Sequence, residues 1–379
     1  MIFIRLFKEK HEQLATAQAI RRTDSDMSSL FSKSPPLEYP LYEQLRLHVP
    51  VIDACIAKIV RLTGSYTVKC EDERFQRELD GFVRGVKVGI SGETLQSFTD
   101  CFLDSLLTYG NAVGEILCDV ETGRICGLYN ADSTIIDVIP GKSPVEREFY
   151  IGRGSERVRI RHPERLVFSA LNPTPRSPLG VSVLRGLPAL SGILMRIYEC
   201  IGQNFERLGN IRYAVTYKPS SETGDRGFAQ ERAQAIAAEW SAGMNAAKNG
   251  EIRDFVAVGD IGIKVIGSES TLIDTAVPVR QLLEQIVAKL SLPPFLLGLS
   301  WSSTERMSKQ QADLLTSELE FYRRLLNPVI SKICTAFLRL SGSDSEVFVE
   351  WGNINLQDET ELALARLRNA QAARLEVSG

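Results

Sequence analysis

The chain has 379 residues, with 44 Lys and Arg against 47 Asp and Glu and a formal net charge of −3. That length supports two or three structural domains, and the charge balance excludes broad basic gripping of nucleic acid while allowing DNA to slide past. Seven cysteines without a CxxC pair and only three histidines argue against a zinc site or a disulfide framework and fit reduced thiols in a cytosol.

The start, MIFIRLFKEKHEQ, lacks the apolar core and cleavage site of a signal peptide. No run reaches the roughly 18 apolar residues of a membrane span. Residues 1–38 read as a polar, flexible N-terminal arm ending near SSLFSKSPP. A helix is expected after Tyr39-Pro40, with Val51, Ile52, Cys55, Ile56, Ile59 and Val60 on one face. Residues 66–70 predict a strand, and 95–109 a helix closed by Gly110. Two apolar runs flank Glu121-Thr122-Gly123, which reads as a hairpin turn. Residues 134–139 predict another strand, and the alternating segment 148–161 a further hairpin ending at Pro163. The stretch NPTPRSPLG (172–180) is a proline-stiffened linker and the first clear boundary.

Beyond it Val183, Leu184, Leu187, Leu190, Leu194, Ile197, Ile201, Phe205 and Leu208 hold helical spacing up to Gly209, with Pro188 and Gly192 weakening the first turns. Arg185, Arg196 and Arg207 recur at a spacing near three turns, about 16 Å, so they point nearly the same way. Such a stripe suits a solvated face or pairing with a neighbour's carboxylates, and equally a face turned to a polyanion or an adjacent subunit. Residues 211–266 form a small αβ insert. It holds a strand at 211–217, an Ala-rich helix at 228–247, and two short strands, 255–258 and 263–266, around Gly259-Asp260.

A second long helix, 272–290, carries Val279, Leu282, Leu283, Ile286, Val287 and Leu290 on one face. The two long helices can run side by side as a stalk with the insert at its tip. Pro293-Pro294 stop the second one. An apolar turn to Gly298 follows, then a hydroxyl-rich loop holding Trp301, Ser302, Ser303, Thr304, Glu305 and Arg306. Taken alone, that loop is a solvated connection whose Ser or Thr caps the next helix. The next helix carries Leu314, Leu315, Leu319, Tyr322, Leu326, Val329, Ile330 and Ile333, and Pro328 inside the stripe predicts a kink and a lost backbone bond. Residues 347–351 (VFVEW) predict a strand and 359–375 a last helix.

The motifs of chemistry are missing. There is no GxxxxGK[ST] loop, no GxGxxG after a strand and no GxSxG. His11, His48 and His162 share no motif, and His48 reads as a partly buried helix residue. Asp100 and Asp104 lie on one helical face but lack a third metal ligand, so they read as solvated. DVETG at 119–123 lacks the acids of a calcium loop. The reading is therefore non-enzymatic, with no catalytic residue, no metal and no cofactor.

Four blocks carry a family resemblance: YGNAVGEILCDVETGRICGLYNADSTIIDVI, RHPERLVFSALNPTPRSPLGVSVL, LSLPPFLLGLSWSSTERMSKQQADLL and FYRRLLNPVISKICTAFLRL. In number and order they resemble the portal proteins of long-tailed bacteriophages over residues 40–360. Ala112-Val113 and Ser291-Leu292 depart from the family pattern. The resemblance implies an α+β portal fold that assembles as a ring, usually of twelve subunits, at one capsid vertex. The implied parts are a wing (39–180), a stem helix (181–210), a clip (211–266), a second stem helix (267–296) and a tunnel loop (297–307). A kinked helix (308–341) and a wing strand with a short crown helix (342–379) complete them.

The same resemblance implies that Arg185, Arg196 and Arg207 face the channel or a neighbouring subunit. It implies that Arg212, Tyr213, Tyr217, Lys218, Trp240 and Arg253 of the clip meet the terminase large subunit and later the head-tail adaptor. Double-stranded DNA, bound without sequence preference, and the major capsid and scaffolding proteins are the other implied partners. No membrane is implied. The implied location is the virion, and the bacterial host cytoplasm during assembly. A channel for moving DNA should bind it weakly, because each fixed phosphate contact retards translocation. A ring of sparse Ser, Thr, Trp and Arg side chains at 301–306 suits that need. A nucleic-acid-processing enzyme subunit with a carboxylate metal site, and a ring or pore unrelated to phage, are the alternatives.

Overall fold

The computed structural model describes residues 35–119, 121–143, 145–152, 157–175, 177–209, 212–218, 228–248, 260–266, 274–299 and 305–354. Helix α1 (Pro35–His48) and helix α2 (Pro50–Thr63) meet at Val49. Pro50 has no amide hydrogen to continue a helix but suits the first position of a new one, so the single helix expected here is two. Residues 35–38 belong to α1 rather than to an arm, and Glu38 and Tyr39 are buried. The expected stripe is otherwise correct: Ile52, Cys55, Ile56 and Ile59 are all buried. His48, expected to be partly buried, is exposed and pairs with Gln44.

Strand β1 (Tyr66–Cys70) leads to helix α3 (Glu73–Gly85) and helix α4 (Leu95–Tyr109). Asp72 caps α3 by accepting from the Arg74 amide, and Thr94 with Ser97 closes a capping box on α4. One antiparallel sheet has the order β3–β2–β7, from β2 (Asn111–Cys118), β3 (Ile125–Ala131) and β7 (Leu166–Ala170). Its β2–β3 connection is the expected hairpin, with Gly123 at φ +66° in the turn. A second antiparallel sheet holds β4 (Ile136–Pro140), β5 (Arg147–Ile151) and β6 (Val158–Arg159).

Two long helices, α5 (Leu187–Gly209) and α7 (Ala276–Lys289), pack against each other. Between them lie β8 (Arg212–Lys218), α6 (Ala229–Lys248) and β9 (Asp260–Ile266). β8 and β9 pair antiparallel from Arg212 opposite Ile266 to Lys218 opposite Asp260. β9 thus starts at Asp260, three residues ahead of the strand expected at 263–266; the expected strand at 255–258 and Gly259 lie outside the described residues, as does the expected helix at 359–375.

Helix α8 (Glu305–Leu340) runs 36 residues, about 54 Å at 1.5 Å per residue. It continues through Pro328, whose missing amide removes one intrahelical bond. Leu315, Leu319, Tyr322, Leu326, Val329, Ile330 and Ile333 are buried as the stripe predicts, but Leu314 is 70% exposed. Polar contacts strap α8 across the fold. Arg323 donates to the Thr63 carbonyl at the end of α2 (2.9 Å), where a cation also suits the helix dipole. Lys332 donates to the Leu166 carbonyl (2.5 Å), and Ser169 reaches the Leu325 carbonyl (3.4 Å). Strand β10 (Val347–Trp351) then pairs antiparallel with β1, which brings the far end of the described chain back to its early part. Trp351 donates to Asn327 (2.7 Å) and packs between Tyr66 and Arg323. The main core gathers α1–α4, β1, α5, α7 and α8, while Val113, Ile136, Val138 and Leu166 form a smaller cluster under the second sheet.

Candidate functional site

A clasp forms where the chain leaves the sheets for α5. Gly110 sits at φ +79°, and a Cβ there would lie 2.5 Å from the Ser182 amide nitrogen. A Cβ on Gly180 would lie 2.3 Å from the Gly110 carbonyl oxygen. Only glycine permits backbones to cross this closely. Asn111 is buried beside them: its Nδ2 donates to the Tyr39 hydroxyl (3.0 Å), and its Oδ1 accepts from the Gly180 amide (2.8 Å). Ser182 donates to the Thr108 carbonyl (2.6 Å) and accepts from the Leu184 amide (2.9 Å). The YGN and PLG blocks, some seventy residues apart in sequence, are thus two halves of one joint.

Arg46 ties the helices beneath. It donates to Asp104 (2.5 Å), Asp53 (2.8 Å) and Thr108 (2.7 Å). Burial opposes its charge, yet the bonds to Asp104 and Asp53 hold the guanidinium above its ordinary value. Asp104 is therefore an ion-pair partner rather than a solvated carboxylate. Asp100 accepts from Gln96 (2.7 Å), and burial pushes its carboxyl up. Among the described residues no group of three or more His, Cys, Asp or Glu is placed to hold a metal. Tyr42 bonds to Glu38, and burial, with that bond and charge, raises its phenol. Lys332 is lowered by burial.

The basic stripe changes in the structure. Arg185 lies in the turn ahead of α5, because Gly186 at φ +89° interrupts the helix and Pro188 can sit only in its first turn. It lies close enough to Tyr42 for its charge to stabilise the phenolate form. Arg196 is exposed on α5, and the Arg207 side chain lies outside the described residues. Beside Arg196 and other polar residues, α5 exposes large apolar side chains: Ile193, Met195, Tyr198 and Phe205 are 41–62% accessible. At 100° per residue, its apolar positions cover roughly 220° of the circumference, more than one neighbour can bury.

α7 ends where three carbonyls converge on the Leu290 amide, and Ser291 takes φ +54°. Pro294–Leu297 forms a 3₁₀ turn closed by Gly298 at φ +72°. A cleft of about 620 Å³ opens between this turn, α7 and the start of α8, lined in part by Val287, Leu292, Phe295, Met307 and Leu314. Phe295, Met307 and Leu314 are 40%, 48% and 70% exposed there. Of the expected loop residues, Trp301, Ser302, Ser303 and Thr304 lie outside the described residues. Glu305 and Arg306 form the first turn of α8 rather than loop, and their side chains also lie outside. In the insert, Arg212, Tyr213, Tyr217 and Lys218 belong to β8 and half-buried Trp240 to α6, while Arg253 lies outside the described residues.

The fold is that of chains from phage-like particles, a mixed assembly of helices and small antiparallel sheets. One likeness is to a chain of the virion of a native gene transfer agent particle, with TM-score 0.60, 16% identity, and coverage of 92% of this chain and 91% of that one. Another is to the neck of the gene transfer agent particle. The empty neck, computed with C6 symmetry, gives TM-score 0.57 at 19% identity over 87% of this chain and 86% of that one. The native neck, computed with C12 symmetry, gives 0.57 at 17% over 95% and 90%. An HK97 family phage portal protein from Corynebacterium diphtheriae is more distant, with TM-score 0.41 at 14% identity over 80% of this chain and 93% of that one. The chain matches no protein-family model and no curated protein.

Proposed function

We propose that this chain is the subunit of a portal ring, the channel at one capsid vertex through which double-stranded DNA is packaged and ejected. The observation that carries the reading is fold agreement over nine-tenths of both chains with a gene transfer agent virion component, together with matches to a particle neck of C12 symmetry. The sequence blocks point the same way, since YGNAV and the Gly180-Val181-Ser182 step before the long helix resemble portal motifs. The apolar excess on α5 supports a ring, because a heterologous ring gives each stalk helix neighbours on two sides.

In this reading the ring has twelve subunits. α5 and α7 are the stem. β8, α6 and β9 form the clip that docks the terminase motor and later the tail adaptor. Residues 299–307 reach the channel, and the role is structural rather than enzymatic, exercised in the virion after assembly in the bacterial cytoplasm. The test is a particle assay carrying Arg306→Glu. Reversing a charge repeated around the axis should reduce packaged or retained genome while leaving ring formation intact. Packaging and retention equal to the parent would remove Arg306 from the channel.

A further inference from the structure

The chain is acidic overall, but one segment is not. Over residues 142–165, seven Lys and Arg stand against four carboxylates, and six of the seven are arginine. This segment builds β5, β6 and the 3₁₀ turn Pro163–Arg165. Ile160 packs against the small apolar cluster beneath the sheet, whereas Arg157, Arg159 and Arg161 are exposed to solvent.

Some of these charges are held in place. Arg157 pairs with Asp137 (3.6 Å) and lies over the Tyr150 ring (4.6 Å). Arg159 pairs with Glu148 (3.1 Å) but stays 66% exposed, and Arg147 lies over Phe168 (5.0 Å). Glu164 is paired with His162 (2.9 Å). Among the described residues, Arg161 and Arg165 make no ion pair, and Arg161 is exposed.

We propose that this face of the β5–β6 ribbon is a phosphate-contact site for duplex DNA, built on elements other than those proposed to reach the channel. Arg159 stands on β6 with Arg157 and Arg161 two residues to either side, and residues two apart in extended backbone repeat every ~6.6 Å, near the separation of neighbouring phosphates along a nucleic-acid strand. Guanidinium forks match phosphate oxygens bidentately and remain charged at any working pH. An acidic peptide suits the face less well. β6 pairs through only two residues, Arg159 with Tyr150 and Val158 with Ile151, which is too short an edge to template an added strand. With no element here shaped to enter a groove, the contact is to backbone and blind to sequence. A few phosphates held by a local patch also agree with a chain whose overall charge forbids broad gripping.

The test uses the full chain, whether single or assembled, and a fluorescent duplex of about three helical turns. Anisotropy titrations across a salt series give the slope of log K against log salt. Arg159→Ala/Arg161→Ala/Arg165→Ala should reduce that slope by about 2 to 3, since each lost phosphate contact removes ~0.9. The corresponding triple Lys variant should keep the slope, because charge count sets it. An unchanged slope in the Ala variant overturns the proposal, and so does an equal loss in the Lys variant. Binding of poly-glutamate that the Ala variant abolishes while duplex binding stays unchanged also overturns it, and assigns the face to an acidic protein. Ring formation does not enter these measurements, so their failure leaves the portal reading standing, and failure of that reading leaves them valid.

Discussion

Asn111 offers the sharpest perturbation of the joint ahead of α5. Asn111→Ala removes two buried hydrogen bonds, to the Tyr39 hydroxyl at 3.0 Å and from the Gly180 amide at 2.8 Å. Each is worth about 1 kcal/mol net, and the Gly180 amide, left buried without its acceptor, adds about 1–3 kcal/mol. The expected loss is therefore about 3–5 kcal/mol, a large share of ordinary domain stability. Tyr39→Phe removes the first bond while sparing the bond to Gly180 and should cost about 1 kcal/mol, and the double variant should show a coupling of similar size. Equilibrium urea unfolding, with the slope checked for constancy, measures all three. A loss below about 0.5 kcal/mol for Asn111→Ala would refute the clasp and leave the YGN and PLG blocks without a shared structural cause.

Gly110→Ala should cost more than Gly123→Ala, although both glycines have positive φ, because only the first meets neighbouring backbone within 3 Å. Thermal melts should show roughly 1 kcal/mol for Gly123→Ala and a loss several times larger, or no folded protein, for Gly110→Ala; similar melts would contradict the crossing. Asp100, raised by burial, keeps its proton longer in the folded chain than in the unfolded one. Its effect is a loss of stability as pH rises from 3.8 through the higher folded value, constant above that. Asp100→Asn should then melt higher than the parent at pH 7, with the difference vanishing at pH 3; equal melts at pH 7 would count against it. Cys55 and Cys334, whose thiols burial pushes to about 12, should resist alkylation until the chain unfolds, whereas exposed Cys126 and Cys200 should react in the native state. Early labelling of Cys334, read by peptide mass spectrometry, would show the α8 packing to be open.

What the sequence made legible was local. The capped helix α4, the Glu121-Thr122-Gly123 hairpin, β1, β10 and the α7 stripe follow from period and punctuation alone. Helix α3 does not announce itself. Only Leu79 is fully buried in it, and its short apolar line of Phe75, Leu79 and Phe82 is set among charges. The Asp72 cap was the available signal. The regular spacing of Arg185, Arg196 and Arg207 misled at its first member, because Gly186 and Pro188 delay the helix by a turn. The Arg46 network and the Asn111 clasp join residues about 60–70 positions apart, which periodicity does not register. The Asn111 clasp gives the YGN and PLG blocks a shared structural cause.

The central claim is that these subunits close into a ring around an axial hole. Light scattering on the purified full chain, paired with images of single particles, tests it most directly. The account predicts a species near twelve times the 42.1 kDa chain mass, with rotational symmetry and a central opening wide enough for a duplex. A 42.1 kDa species at every concentration and salt, or a closed dimer without an opening, would contradict it.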